Sequence, residues 1–507
     1  MTVHDLFLVS PQIALAALGI LVILLDLVTP RKGWVQGLAL FGLAAPAGLA
    51  LLLLLDLNGS GRSSVVPDSS VLVQSLVVDR FSLFFNFLVL AATALVVLVS
   101  TDYVRRMDRN QGEYFGLILL SATGMLLLPA ATELITIYIS LELTTLPLAA
   151  LAAFLLTAKS SEAGMKYLII GAISSAIMLY GMALVFGFSG STTLTGIAAS
   201  FSGPAQSRLA GIPFDSYAML VGVVLMVVGF GFKLSSVPFQ MWVPDVYEGG
   251  PTPVVAFLSV ASKAAAFGLV LRFFYTGFMA VEVDWGILLA VLSAASMIVG
   301  NLAAMVQSNI KRLFGYSTIA HAGYILIGVA AVAEGTEIAG FSTLGPSSVL
   351  FYLAAYTAAN LTAFFAITLI SNRVDSDQIV DYAGMARRSP YMAAALAFAL
   401  IALIGIPPTS IFIAKIYVFT AAVDSGLVWL AFLGVINSVV SAYYYVRVIR
   451  VMFQAEPAAP EKIPASPYAR LALLLAAAAT LGLGIAPGMV LKAAESAAAA
   501  LAGVTVR

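Results

Sequence analysis

Apolar stretches of about 20 residues recur along the chain, separated by short polar segments. A helix needs roughly 20 apolar residues to cross a bilayer, so each stretch predicts a membrane-spanning helix. The pattern therefore predicts an all-α polytopic membrane protein with about 14 transmembrane helices. These candidates, the first to the fourteenth span, cover residues 6–28, 34–56, 80–102, 112–131, 132–157, 162–189, 216–241, 252–276, 284–306, 312–333, 346–371, 389–422, 426–453 and 468–490.

The polar segments are too short for a separate soluble domain, so residues 1–507 are predicted to form a single membrane domain. The alanine-rich tail from Lys492 predicts a short interfacial helix. Along the chain we expect three N-terminal helices in 6–103, two five-helix units in 112–276 and 284–453, and the last helix with the tail in 466–507.

Composition agrees with this class, because 61% of residues are hydrophobic, 10% are charged and the mean hydropathy is +1.03. A soluble protein carries about 25% charged residues. There is no cysteine, and the two histidines are His4 and His321, so iron–sulfur clusters held by thiolates, disulfides and cysteine zinc sites are excluded within this chain. We expect contact with the lipid bilayer, no nucleic acid partner, and neither a metal nor a redox cofactor in this chain.

Basic residues fall mostly on one side of the predicted layout. Segments after odd-numbered spans hold Arg31, Lys32, Arg105, Arg106, Arg109, Lys159, Lys311, Arg312, Arg373, Arg387, Arg388, Arg447, Arg450, Lys462 and Arg470. The other side holds Arg62, Arg80, Arg208, Arg272, Lys492 and Arg507, so the ratio is 15 to 6. The positive-inside rule then places both termini outside. The alternative is a miscount by one helix, which would scramble this asymmetry.

Ionisable residues also lie inside the predicted spans: Glu142, Lys166, Lys233, Lys263 and Lys415. A charge at the bilayer centre costs about 2.5–3.5 kcal/mol, so five unpaired charges would cost about 12–18 kcal/mol. Such groups therefore face a protein-lined or hydrated interior. Burial disfavours a charged lysine and a nearby carboxylate favours it, so movement of the carboxylate switches the lysine between holding and releasing a proton. The pattern indicates proton handling.

Simpler interpretations remain open for several of these residues. Lys166 lies four residues after Glu162, which is the spacing of an ordinary helical ion pair. Lysines near helix ends can also extend to the interface. His321, in "STIAHAGY", is either a hydrogen-bonded core histidine or a member of a proton relay.

Two spans contain internal prolines and are predicted to be broken. Pro238 lies in the seventh span and the pair Pro407 and Pro408 in the twelfth. Proline removes a backbone donor and clashes with the preceding turn. Broken helices at corresponding positions of two half-units point to an ion path in transporters built from inverted repeats, here spans 4–8 and 9–13. Ordinary proline kinks without function are the alternative.

"FKLSSVPFQMWVPDVYEGGPTPVVAFLSVASK" resembles the signature region of the N subunit of respiratory complex I, the proton-pumping NADH:quinone oxidoreductase. The resemblance extends to "SLELTTLP", "SEAGMKYLIIGAISSAIMLYG", "NIKRLFGYSTIAHAGY", "YLAAYTAANLTAFF" and "IGIPPTSIFIAKIYVF". It implies a membrane-arm, antiporter-like subunit of the bacterial cell (inner) membrane. Its partners would be neighbouring antiporter-like and small membrane subunits, while NAD, FMN, iron–sulfur clusters and quinone would be bound in partner subunits.

The resemblance also implies roles for individual residues in proton translocation. Glu142 of the fifth span would pair with Lys233 of the broken seventh span, and Lys166 of the sixth span would influence that pair. Lys263 would be the central lysine of the eighth span. Lys415 of the broken twelfth span would lie near the route to the outer face, and His321 would lie in the central hydrophilic axis.

One position departs from the family, which often has histidine where this chain has Gln240. Glutamine takes up no proton near neutral pH but can hydrogen-bond a chain of water molecules. Gln240 is therefore expected to take part in a proton relay only by hydrogen-bonding the water molecules of a water wire. Two other functions stay open at this point: a subunit of a multi-subunit cation/proton antiporter, and a structural membrane subunit without its own proton path.

Overall fold

The structure, a computed structural model, is all-α apart from one small two-stranded sheet among the residues described. It describes residues 3–29, 32–60, 64–65, 75–104, 110–202, 214–279, 285–332, 342–456 and 467–504. Several basic residues used for the orientation, such as Arg62, Arg106 and Arg208, lie outside these ranges. The predicted all-α polytopic class is confirmed.

Each of the fourteen predicted spans contains helix, and twelve helices in the described ranges are long and apolar enough to cross a membrane. The shorter apolar helices, Met219–Leu234 and Pro390–Ile404, lie in the seventh and twelfth spans, where breaks were predicted. In span order the helices are Val3–Leu8 with Ser10–Val28, Lys32–Phe41 with Ala44–Ser60, Arg80–Val104, Gln111–Leu127, Leu134–Ala152, Ala158–Ser189, Phe214–Leu234, Thr252–Gly277, Trp285–Met305, Ile310–Ala330, Leu344–Val374, Pro390–Ile404 with Ser410–Asp424, Val428–Gln454 and Pro467–Ile485.

Short elements join these spans. Strand Ser64–Val65 pairs antiparallel with strand Val78–Asp79 in the connection before the third span. The remaining short helices are Leu128–Ala130, Leu194–Ser202, Val243–Gly249, Ile379–Tyr382 and Met385–Arg388. The tail forms a helix, Gly488–Val504, that begins four residues before the predicted start at Lys492 and packs against the third and eleventh spans.

Both predicted breaks are present, and each ends a helix before its proline. The seventh-span helix ends at Leu234, where Ser235 adopts a left-handed conformation with φ 63°, three residues before Pro238. The twelfth-span helix ends at Ile404, followed by Gly405 with φ 90°. The residue before a proline disfavours helical backbone, so the chain leaves the helix ahead of it. "PDVYEGG", predicted as a turn, lies largely in the short helix Val243–Gly249.

The eighth, tenth and eleventh spans form the centre of the molecule, because almost all of their residues are buried. Most residues of the first, second and fourteenth spans are not buried, and many of their exposed side chains are large and apolar. The fourteenth span closes directly on the break of the twelfth, since a Cβ atom at Gly484 would lie 2.6 Å from the carbonyl carbon of Thr409. Lys263 and Arg272, two charged side chains of the eighth span, are therefore surrounded by protein.

Candidate functional site

The break in the seventh span is held by hydrogen bonds that replace the lost helical ones. The Trp242 Nε1–H donates to the Phe232 carbonyl at 3.1 Å, and the Ser236 N–H donates to the Gly231 carbonyl at 3.0 Å. The Val237 N–H donates to Ser296 Oγ of the ninth span at 2.9 Å. Freed backbone groups inside a membrane need such partners. The break is thus a built feature that presents Lys233 from the last helical turn.

Lys233 is buried in an aromatic pocket. Its ammonium donates to the Tyr167 hydroxyl at 3.3 Å and lies 5.6 Å and 5.7 Å from the ring centres of Tyr167 and Phe232. Ring faces attract a cation, so these contacts suit an ammonium that has left water. The two rings pack against Trp242. Tyr167 therefore connects the sixth span to the Lys233 side chain.

Glu142 of the fifth span lies near this pocket but does not contact the lysine. Its Oε1 accepts a hydrogen bond from Ser175 Oγ at 2.5 Å. It is close enough to interact electrostatically with both Lys233 and Tyr167. No ion pair within 4.0 Å joins Glu142 to Lys233 among the described residues. The resemblance implies that Glu142 pairs with Lys233. In this structure the two charged groups form no direct ion pair, and each binds a hydroxyl group of the sixth span instead.

Lys263 lies at the centre of the eighth span, directly after the π-helical turn Leu258–Ser262. Its ammonium is buried and donates to the Thr318 carbonyl of the tenth span at 2.7 Å. The Thr318 hydroxyl in turn lies 2.6 Å from the Tyr356 hydroxyl. A π-helical turn is frequent at functional positions in helices, and here it precedes the lysine that contacts the next helix.

His321 follows Thr318 by three residues on the tenth span and is also buried. Its Nδ1 lies 2.9 Å from the Tyr352 hydroxyl. Its ring centre lies 5.0 Å from that of Tyr356 and 5.7 Å from that of Tyr324. The histidine is therefore surrounded by tyrosine rings and hydroxyls that can each donate or accept a hydrogen bond.

Lys415 hydrogen-bonds a backbone carbonyl at the break of the twelfth span. Its ammonium donates to the Ile404 carbonyl at 2.8 Å, which the interrupted helix leaves free, and to Ser438 Oγ of the thirteenth span at 2.6 Å. It also lies 4.6 Å from the ring centre of Tyr324. Tyr324 thus lies beside both Lys415 and His321. The tenth span therefore contacts Lys263 of the eighth span through Thr318 and Lys415 of the twelfth span through Tyr324, with His321 between these two positions.

Gln240 lies in the seventh-span break, after Lys233. Its Oε1 is buried and has no hydrogen-bond partner among the described residues. A buried polar atom without a hydrogen-bond partner raises the free energy of the folded state, and a bound water that donates to this oxygen would remove that cost. Gln240 Oε1 therefore remains available to accept a hydrogen bond from water, and its place in a water wire stays a prediction.

Lys166 lies apart from these buried groups, with 38% of its side chain exposed. It pairs with Glu162 at 2.6 Å, the helical pair that the spacing allowed, and with Asp245 at 2.7 Å. Arg312 of the tenth span binds Asp245 at 2.6 Å and Glu248 at 3.2 Å. These five residues form the Asp245 cluster, which joins the sixth span, the short helix Val243–Gly249 and the tenth span.

The charges of the Asp245 cluster compensate one another. Burial raises the pKa of Asp245, but hydrogen bonds from Lys166 and Arg312 outweigh burial and hold this pKa below the usual aspartate range. Asp245 therefore stays ionised at neutral pH and keeps both cations in place.

Sequence reasoning missed one fully buried ion pair. Arg272 donates to Asp79 through two nitrogens, at 2.7 Å and 2.9 Å, and through Nε to the Pro129 carbonyl at 3.0 Å. Asp79 also accepts from the Ser82 N–H at 2.8 Å, which caps the third span. The capping signal Asp-x-x-Ser is readable in the sequence, whereas the partner Arg272 is 193 residues away.

In the part of the chain that the structure describes, no group of three His, Asp or Glu side chains is arranged to hold a metal ion. What the fold brings together instead is a series of buried lysines, hydroxyls and one histidine around two interrupted helices. These features define a class of protein: multi-pass membrane subunits with the antiporter-like fold.

Comparisons with known proteins agree with this class. Residues 131–441 match the family described as NADH:quinone oxidoreductase/Mrp antiporter, TM. The chain is similar to the NADH-quinone oxidoreductase subunit N of Dehalococcoides mccartyi, with 41% identity over 97% of this chain and 99% of the relative. It therefore belongs to the NADH:quinone oxidoreductase/Mrp antiporter family, within its subunit N branch.

Solved structures support the same assignment. A chain of the respiratory complex I from Thermus thermophilus with bound aureothin has a TM-score of 0.76 and 32% identity, covering 95% of this chain and 98% of that one. A chain of the Mrp complex from Dietzia sp. DQ12-45-1b has a TM-score of 0.83 but 20% identity, covering 99% and 98%. The second likeness shows the fold alone.

Proposed function

We propose that this chain moves protons across the membrane as a subunit of NADH:quinone oxidoreductase, with electron transfer carried out elsewhere in the complex. The observation that carries the proposal is the buried series of Lys263, His321 and Lys415, in which the two lysines of the eighth and twelfth spans contact the tenth span on either side of His321. The identity to relatives named NADH-quinone oxidoreductase subunit N favours this function over a cation/proton antiporter, to which the likeness is one of fold.

In this proposal the first proton station is formed by Glu142 and Lys233. Glu142 is held by Ser175, and Lys233 by Tyr167, so both partners come from the sixth span. A small shift of that span would move the carboxylate and the ammonium relative to each other. Because a nearby carboxylate favours the charged lysine, such a shift loads or unloads Lys233.

Lys166 would control this station from a distance. It neighbours Tyr167 in sequence, and its ion pairs with Asp245 and Glu162 fix the position of this turn of the sixth span. Release of the Asp245 cluster would therefore free Tyr167 and, through it, Lys233. This gives Lys166 the role of a positioning residue, while Lys233 carries the proton.

Protons would then pass to Lys263, His321 and Lys415. The ammonium groups of Lys263 and Lys415 contact neutral oxygens of Thr318, Ile404 and Ser438, and among the described residues no carboxylate lies within 4.0 Å of either. Neither lysine is therefore locked in an ion pair. Gln240 would join Lys233 to the rest of the path by binding water.

The remaining parts of the activity are proposed to lie in partner subunits, which would hold NAD, FMN, iron–sulfur clusters and quinone. The chain itself would carry no cofactor. It would contact neighbouring antiporter-like and small membrane subunits in the bacterial cell (inner) membrane. The excess of basic residues, 15 against 6, favours both termini on the outer side.

The test is quinone-coupled proton uptake by the assembled complex in vesicles, with Lys233→Ala and Glu142→Ala. We expect each variant to assemble and to lose most proton uptake per NADH oxidised. Lys492→Gln removes an exposed cation outside the path and serves as the control. Normal uptake in both Ala variants would contradict the proposal and would leave a structural role for these charges.

A further inference from the structure

A groove of about 650 Å³ lies between the second, third and eleventh spans and the tail helix, and its lining residues are different from those of the proposed proton path. The third span contributes Leu83, Phe84, Phe87 and Leu88, which recur on one helical face at intervals of three and four residues. Leu54 of the second span, Ala354 of the eleventh span and residues of the tail line the rest of the wall. The volume lies within the roughly 300–1,000 Å³ typical of small-molecule sites.

One end of this groove is polar. Arg80, the first residue of the third span, donates to Asn58 Oδ1 at 3.0 Å and to Ser496 Oγ of the tail helix at 3.2 Å. All three residues line the groove. From Arg80 to Leu88 the helix advances about 12 Å, and the groove side of this stretch is apolar beyond its first residue. The site is therefore amphipathic along its length.

Arg80 has no carboxylate partner in the part of the chain that the structure describes, since none lies within 4.0 Å of its guanidinium. The adjacent carboxylate, Asp79, is already bound by Arg272 through both oxygens. Arg80 thus retains the capacity to bind an anion, and a guanidinium matches the oxygens of a phosphate group.

We propose that this groove binds one anionic phospholipid, with an acyl chain on Phe84, Phe87 and Leu88 and the headgroup phosphate on Arg80. The occupant follows from the pairing of Arg80, which pairs with no carboxylate among the described residues, with the apolar groove that begins beside it. Met489, at the groove, is 84% exposed, which suits a wall completed by lipid. The site ties the tail helix to the second and third spans through the bound lipid.

The experiment uses the assembled complex in phosphatidylcholine vesicles that contain a trace of phosphatidylglycerol with a photoactivatable acyl chain. After illumination, mass spectrometry locates the label. We expect label within residues 83–88 and 489–496, and competition by unlabelled phosphatidylglycerol but not by phosphatidylcholine. Arg80→Gln should lower this labelling about fivefold, as expected for one basic residue near an anionic lipid surface.

Two further variants separate a built site from general surface charge. Lys492→Gln removes an exposed cation from the same tail helix outside the groove wall and should leave labelling unchanged. Ala354→Phe keeps Arg80 but fills the groove, and should lower labelling in complexes that assemble normally. Equal loss in Lys492→Gln and Arg80→Gln would overturn the proposal. So would absence of label from both segments, as when another subunit covers the groove.

Discussion

Replacing Asp79 with asparagine should strongly destabilise the protein, because the Arg272 guanidinium would lose its carboxylate partner in a fully buried site. Both side chains are fully buried, with 0% exposure. Asparagine caps a helix as well as aspartate does, so the start of the third span keeps its cap. The substitution therefore isolates the loss of the ion pair from the loss of the cap.

The size of the effect follows from the burial. Removing one partner of a buried ion pair costs about 3–5 kcal/mol, since the remaining charge stays desolvated. Arg272→Met should cost a similar amount by leaving Asp79 unpaired. In the double variant both charges are gone, so its loss should be well below the sum and smaller than that of either single variant.

The assay is a heat challenge of the purified complex, followed by measurement of the fraction that retains this subunit. The expected order of resistance is wild type, then the double variant, then the two single variants. Additive losses, or a double variant less resistant than Asp79→Asn alone, would refute the reasoning. In that case the Arg272 guanidinium would be stabilised mainly by the Pro129 carbonyl and the Phe81 ring.

Three other outcomes are expected. Gly484→Ala should destabilise the twelfth-span break by about 1–3 kcal/mol in the heat challenge, whereas Gly482→Ala, at a position with open space, should not. Because the pKa of Asp245 is lowered in the folded protein, its ionised form stabilises the fold fully above the ordinary aspartate pKa, and this stabilisation is lost as pH falls through the lowered value. Asp245→Asn should therefore remove about 1 kcal/mol of acid-sensitive stability. The measurement is the heat resistance of the complex as a function of pH. Ser438→Ala should slow proton uptake, because Lys415 loses a hydrogen bond of 2.6 Å, and Ser438→Thr should preserve it.

Much of the architecture was predictable because membrane spans leave a strong signal in the sequence. Apolar length identified the fourteen spans, and proline positions identified the two breaks. The helix ends were less accurate: the seventh span stops at Leu234, not 241, because backbone conformation at Ser235 decides where the helix ends. No sequence pattern specifies that a serine at this position adopts the left-handed backbone conformation.

The contacts made by the predicted site residues could not be read from the sequence. Lys263 and Lys415 bind backbone carbonyls of Thr318 and Ile404, and a carbonyl is present at every position, so it leaves no trace in the sequence. The pair of Asp79 and Arg272 was missed because its members are far apart along the chain. The roles assigned to the site residues stay predictions until pumping is measured.

The bond between the Val237 N–H and Ser296 has a consequence for biogenesis. Ser296 follows Val237 by 59 residues, so it emerges from the ribosome after the whole eighth span. Until the ninth span inserts, this backbone group lies at membrane depth without its partner, at a cost comparable to a lost hydrogen bond. The interrupted seventh helix therefore reaches its final form only after later spans have entered the bilayer, which makes insertion order part of how the proposed proton path is built.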